Sequence, residues 1–318
     1  MGPLNHSRLF VGLLVLALAG SGCRKYIDFE GEDMPPRLVL NGIATADSVV
    51  TVDLSNSRGV IDPAPLAAIT DGQVRLLDDQ GNIVETLVHQ GDGRYRGNTN
   101  IPSGSTITVQ ADAPGYGTAS ASDRVPFAVP VLQWDTATVI TSGGQGFEFP
   151  TLELEFTFDD PGGQENHYLL EGLVVQSDSI IFIWDEQLGD WVLDTVPALN
   201  PVFTPMNFSS TDQVLIAGTD VGVGDTRTYF TRAVLRDDLF NGTTRTIAVR
   251  LENLIRPSRF ELRWVSISET AYRYYRTLER YNYAQGDPFA EPVQVHSNVE
   301  GGLGIWGGAN VARVTIGL

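Results

Sequence analysis

The chain has one cysteine, Cys23, and one lysine, Lys25, in 318 residues. With no second thiol it can form no internal disulfide, so its stability has to come from core burial. Positive charge is scarce: 21 Lys and Arg stand against 39 Asp and Glu, a formal charge of −18. Such a surface repels nucleic acid and anionic headgroups, which excludes nucleic-acid binding. Long apolar runs are missing as well, since Leu9–Gly20 is too short to span a bilayer. H-E-x-x-H, G-x-S-x-G and D-x-D-x-D-G do not occur. Zinc-protease, serine-hydrolase and calcium-loop designs therefore lack support. His89, His167 and His296 read as a strand end, a strand cap and a loop residue, and no cofactor is expected.

What is present begins at the N-terminus. Arg8, the apolar run, then Ser21-Gly22-Cys23 form a secretory signal ending in small residues before a thiol. The expectation is a bacterial lipoprotein, cleaved before Cys23 and acylated there, with palmitate among the chains. Gly20 occupies the position three before the cysteine where Leu is usual. The mature chain would hold 296 residues, 20 basic and 39 acidic, for a charge of −19. That length suffices for two ordinary domains. Attachment would come from the lipid, at about 0.8 kcal/mol per buried CH₂. Residues 24–36 read as an acidic tether closed by Pro35-Pro36.

From Arg37 onward short β-rich runs alternate with Gly, Asp and Pro. Leu38–Ile43, Val49–Leu54, Gln73–Leu77, Ile83–Val88, Gly91–Arg96 and Ser105–Gln110 predict a small antiparallel β-sandwich over 37–126, Ig-like or transthyretin-like. Val125-Pro-Phe-Ala-Val-Pro130 reads as a connector. A larger C-terminal antiparallel β domain over 131–318 follows, with strands at 152–158, 167–175, 180–184, 191–193, 247–251, 260–267 and 311–316. Within it Ser268–Gln285 lacks Gly and Pro. Ile267, Ala271, Tyr274, Leu278 and Tyr281 repeat at helical spacing, predicting one docked amphipathic helix over about 268–285. Ser268 or Ser266 would cap it, Glu269 and Arg273 would pair at i,i+4, and Gly286-Asp-Pro288 would stop it.

Several motifs run in a fixed order. They are Asp159-Asp-Pro161, Asn166-His-Tyr168, Asp237-Asp-Leu-Phe-Asn-Gly242, the S-I-S-E-x-A-Y-x-Y-Y stretch at 266–275, Asp287–Pro292 and Ser297–Gly307. Together they resemble the lipoprotein family known as domain of unknown function 4249, over nearly the whole mature chain. The resemblance implies an outer-membrane lipoprotein, often encoded near TonB-dependent transporters. It implies no activity and transfers no functional residue.

Gly302-Leu-Gly-Ile-Trp-Gly307 spells G-x-G-x-x-G, but a dinucleotide site needs a helix after it; here a β-rich tail follows. The carboxylate pairs Asp78/Asp79, Asp159/Asp160, Asp185/Glu186 and Asp237/Asp238 sit in turn-like sequence, where Asp serves the backbone. The richest cluster is aromatic and basic. Tyr272, Arg273, Arg276, Arg280, Tyr283 and Trp306 form the candidate partner-binding set, because Tyr, Trp and Arg dominate interface energetics. Tyr274, Tyr275, Tyr281 and Phe289 complete the aromatic cluster, and lipidation is assigned to Cys23. The expected function is a non-enzymatic outer-membrane lipoprotein, favoured at the cell surface, that serves as a binding accessory to a TonB-dependent nutrient importer. Alternatives are a surface glycan or peptide hydrolase and a structural envelope or adhesion module.

Overall fold

The computed structural model describes residues 35–59, 65–142, 148–217, 228–251, 259–285 and 289–317. Cys23, the signal, the tether up to residue 34 and the helix stop at 286–288 lie outside the described residues. Residues from Pro36 onward make one compact unit. Among the described residues no helix is long and apolar enough to cross a membrane.

The protein is mainly β. In the first half β1 (Leu38–Thr45), β2 (Val49–Asn56), β3 (Gln73–Leu77), β4 (Ile83–Thr86), β5 (Val88–Gly91), β6 (Arg94–Asn100), β7 (Thr106–Ala113) and β8 (Gly117–Arg124) follow in order. The predicted turn between β3 and β4 is held by Asp78, whose Oδ1 accepts the N–H groups of Gln80 and Asn82 at 3.0 and 2.8 Å. In the second half come β9 (Val131–Ser142), β10 (Glu148–Asp159), β11 (His167–Asp185), β12 (Asp190–Pro205), β13 (Phe208–Ser210), β14 (Thr228–Phe230), β15 (Arg232–Arg236), β16 (Thr244–Leu251), β17 (Arg259–Ile267) and β18 (Leu303–Gly317). Among the described residues a five-residue helix α1 (Gln213–Ala217) and a 3₁₀ turn at Asp237–Leu239 accompany the predicted helix α2 (Glu269–Ala284).

Three sheets result. A nine-stranded sheet runs β12-β11-β17-β18-β1-β2-β6-β5, with β15 also on β11; β14-β13-β16-β10-β9 and β4-β3-β7-β8 make the others. Hairpins and meanders are antiparallel, as the turn chemistry predicts. The exception is β1, which pairs in parallel with β18, Leu40 opposite Gly304 and Gly42 opposite Trp306. This pairing carries the N-terminal strands and the C-terminal strands into one sheet.

Side-chain parity shows how the layers stack. Along β18 the even residues Trp306 and Val314 are buried in two apolar cores, while Ala309 belongs to a third. The first core lies between β1, β2 and β6 and the β3-β7-β8 sheet, with Leu40, Val52, Val74, Val109 and Ala121 in it. The second joins β11, β17 and β18 to β10, β13 and β16 through Tyr168, Trp264, Phe156, Phe208 and Val249. The third, on the opposite face of the large sheet, holds Leu169, Val265, Ile267, Ala271 and Ala309 under α2.

Three features depart from the sequence pattern. First, β9 was not marked by it: most of the strand is solvent-exposed at a sheet edge, so its polar and apolar residues do not alternate cleanly. Second, β11 is one 19-residue strand through the two expected runs, with a register shift between Gln176 and Asp178 on β12. Third, α2 docks with a rotated face. Ala271 is buried and Tyr272 and Tyr275 pack on the third core, whereas Tyr281 of the expected stripe is 39% exposed. Small residues set this contact: a Cβ on Gly307 would sit 3.0 Å from that of Ala271, so helix and strand meet at the first turn. Arg232 lies over the Tyr275 ring at 4.8 Å and fixes the other side.

Candidate functional site

The motif segments that are scattered along the sequence meet at the start of β11 and of α2. Asp160 follows β10; its Oδ1 accepts the Tyr168 hydroxyl and its Oδ2 accepts the Gly242 N–H at 2.8 Å. Asp237, in the 3₁₀ turn, accepts through Oδ2 from the Asn166 backbone N–H (2.9 Å), the Asn166 amide (3.1 Å) and the Asn241 amide (3.0 Å). The two turns touch where only glycine fits: a Cβ on Gly162 would lie 3.0 Å from the Gly242 Cα. Beneath them Tyr168 stacks on Trp264 at 4.5 Å and 15°, and Phe158 meets Phe240 edge-on at 5.6 Å.

A third carboxylate closes the junction from the other half. Asp123, at the end of β8, accepts through Oδ2 from the Ser268 hydroxyl and from the Gly308 N–H at 2.9 Å. Ser268 is the N-cap of α2, accepting the Ala271 N–H at 3.2 Å. Val129 N–H donates to Ser266 Oγ at 3.2 Å, and Asn310 donates to the Pro126 carbonyl at 3.0 Å. The connector is thereby fastened to β17 and β18. Between these groups lies a cleft of about 400 Å³ whose wall includes Asp123, Phe127, Glu165, His167, Ser268 and Glu269.

Electrostatics follow burial. His167, 6% exposed, packs at a tilt against Tyr272, ring centroids 4.6 Å apart, with Nε2 3.1 Å from Glu165. Desolvation pulls its imidazole below the ordinary value of 6.5 against the attraction of Glu165. Burial raises the Asp123 and Asp237 carboxyls despite the hydrogen bonds they accept, and raises the Tyr168 phenol further through Asp160. A lowered imidazole means that the folded chain binds fewer protons than the unfolded one just below pH 6.5. Stability from this group is full above 6.5 and is lost as pH falls. The raised carboxyls act oppositely, losing stability as pH rises above 3.8. His167→Gln is therefore expected to reduce the fall in urea midpoint between about pH 7 and pH 5. An unchanged slope in the variant would show that His167 does not titrate with unfolding.

The predicted partner-binding residues divide. Tyr283 is 79% exposed, and Arg273 and Arg280 are exposed on the same helix. Arg273 pairs with Glu269 as expected, and Arg276 is largely covered, 3.7 Å from Glu279. Tyr272 is held between His167 and the third core. Trp306 leaves the set altogether. It is fully buried in the first core, with its indole N–H donating to the Ile107 carbonyl at 2.8 Å, so it fills space between the layers. The G-x-G-x-x-G spelling lies in and beside β18 and is followed by more strand. Its glycines let β1, β8 and α2 approach: added Cβ atoms on Gly302, Gly304 and Gly307 would meet neighbours at 3.0 Å or less. Phe289 is 92% exposed and Tyr281 39% exposed. Asp123 and Phe127 carry no local signal, because the partners of Asp123 stand 145 and 185 residues away. Among the described residues no group of three His, Cys, Asp or Glu is placed to hold a metal ion.

The motif segments at 159–161, 166–168, 237–242 and 266–275 thus lie in this junction or beside it. The model of the domain of unknown function (DUF4249) matches residues 24–315. The chain belongs to that family. No curated relative matches it. Among solved structures, a mutant Salmonella alpha-2-macroglobulin is similar at 9% identity and a TM-score of 0.25, over 90% of this chain and 15% of that one. Trypsin-activated alpha-2-macroglobulin from Escherichia coli is similar at 8% identity and 0.24, over 73% and 14%. The chain thus spans about one seventh of those proteins, and likeness at this level carries no inference about fold or function. In this DUF4249 chain Ser268, from the 266–275 segment, binds Asp123 and ties the second half to the first, while Asp160 and Asp237 tie loops within the second half.

Proposed function

We propose that this DUF4249 protein is a lipid-anchored outer-membrane protein, attached through Cys23, that binds a partner without catalysis as an accessory to a TonB-dependent nutrient importer. The observation that supports binding over chemistry is the employment of the carboxylates. Asp78 closes a turn, Asp159 accepts from Thr244, Asp160 and Asp237 tie loops together, and Asp238 pairs with Arg236. Side chains committed to such bonds hold loops in place, and none of these five lines the cleft, where an acid and a base would have to meet a substrate. The exposed group on and just beyond α2, with Arg280, Tyr283 and Phe289, has the residue types of an interface anchor.

The test is a crosslinked pull-down of the lipidated protein from intact outer membranes, paired with surface protease accessibility. The expected result is recovery of a transporter with surface exposure, reduced about tenfold or more by Tyr283→Ala with Arg280→Glu, as loss of an interface anchor gives. Recovery no better than an unrelated lipoprotein removes the importer reading.

A further inference from the structure

The long hairpin of β11 and β12 has no role in the junction, and its shape and chemistry are unusual. Pairing of β11 with β15 ends at Glu171 and with β17 at Val175. Beyond the register shift at Gln176/Asp178, the described β11 residues pair only with β12, up to Asp185 opposite Asp190. Eight residues from Asp178 to Asp185 make an arm of about 25 Å. At its end Trp184 and Trp191 stand directly opposite each other as an edge-on pair, ring centroids 5.8 Å apart. They are 52% and 62% exposed, and Leu188 in the turn is 70% exposed. A two-stranded ribbon is marginal in water on its own, and two indoles and a leucine gathered at its tip are what interface centres use.

Charge narrows the occupant. Residues 176–205 hold five carboxylates, Asp178, Asp185, Glu186, Asp190 and Asp194, and no Lys, Arg or His occurs anywhere in 168–226. An acidic tip is repelled by anionic lipid, which argues against insertion into a membrane surface. It is repelled equally by a second copy of a chain carrying −18. The complement of an apolar tip with an acidic rim is an apolar pocket rimmed by Lys and Arg.

We propose that the β11–β12 arm is a protein-docking element whose Trp184, Leu188 and Trp191 enter an apolar pocket, bordered by basic residues, on a partner protein. These anchors share no residue with the candidate set on α2, and the proposal does not depend on the importer reading. The arm supplies the anchors, and Glu186 and Asp190 steer the encounter.

A photo-crosslinking side chain placed at Leu188 of the full lipidated protein, in outer-membrane vesicles from the source cells, tests this. Ile83, 60% exposed on β4, serves as the control position. The expected result is a discrete protein adduct from 188 and none from 83. Its crosslinked peptide should carry apolar side chains flanked by Lys or Arg. Yield should fall at least fivefold in Trp184→Ser/Trp191→Ser and in Glu186→Lys/Asp190→Lys, and on raising salt from about 0.05 to 0.5 M, where screening shortens to a few ångströms. Both variants change exposed residues, so an unchanged urea midpoint separates lost docking from lost folding; the charge reversal keeps both indoles and carries the test if the first variant unfolds. Adducts to lipid, to glycan or to a second copy of this chain overturn the proposal, as does a yield indifferent to charge reversal. If the Trp184→Ser/Trp191→Ser protein keeps the 188 adduct at full yield and still recovers a transporter, the arm proposal fails while the importer reading stands. Loss of the transporter from the α2 variant with the 188 adduct retained does not touch the arm.

Discussion

Trp306→Ala is expected to destabilise the protein by about 3–5 kcal/mol, the range for emptying a fully buried aromatic site. The ring is completely covered, lies against Gly42 and donates to the Ile107 carbonyl at 2.8 Å. Truncation leaves a cavity between the layers and a buried acceptor without its donor. Neighbours cannot close the space, because Leu38, Val109 and Ala121 are set by strands on two different sheets. Trp306→Phe keeps most of the volume and loses the hydrogen bond, so a loss of about 1–3 kcal/mol is expected. Urea unfolding with an unchanged m-value measures both. A midpoint for the alanine variant within about 0.5 kcal/mol of the parent would mean that the indole is a surface group after all.

The second large effect is at Gly304. Its φ of +113° is one that L side chains rarely adopt, and a Cβ there would stand 2.0 Å from the Leu40 carbonyl oxygen. That oxygen belongs to β1, the parallel partner of β18 at this register. Gly304→Ala must therefore combine backbone strain of about 1–3 kcal/mol with separation of the strands that join the two halves, and a total of about 3 kcal/mol or more is expected. Gly81 provides the control: its φ is +82°, yet nothing lies within 4 Å of an added Cβ. Gly81→Ala should cost only about 1 kcal/mol, from strain alone. Equal losses at the two positions would show that the β1–β18 approach contributes nothing beyond local conformation.

These two residues also mark where reading along the chain stops. The Gly302–Gly307 segment is legible as glycines that allow close approach, since a β-rich tail follows and no helix does. Which neighbours approach is not legible: Leu40 lies 264 residues earlier and Ala271 on a separate helix. The aromatic cluster divides for the same reason. Tyr283 is exposed and Trp306 buried, although composition presents both as anchors. On α2 the period of 3.6 locates the helix within one residue at each end, with Ser268 as cap and Glu269 paired to Arg273. The buried face is turned, because the small residues Ala271 and Gly307 and the ring of Tyr275 under Arg232 decide where the helix rests.

By itself the sequence determined the mainly β class, most strands and turns, the helix at 269–284 and the family, because each depends on neighbours within a few residues or on motifs kept in order. Only the tertiary structure decided that the first and last strands lie side by side, that Asp123 and Ser268 join the halves, and that Trp306 is core. The reason is one of distance along the chain. Turn chemistry and side-chain period act locally, whereas burial and strand register are settled between residues 145 to 265 positions apart, where any apolar strand could find another until shape and glycine clearance select one.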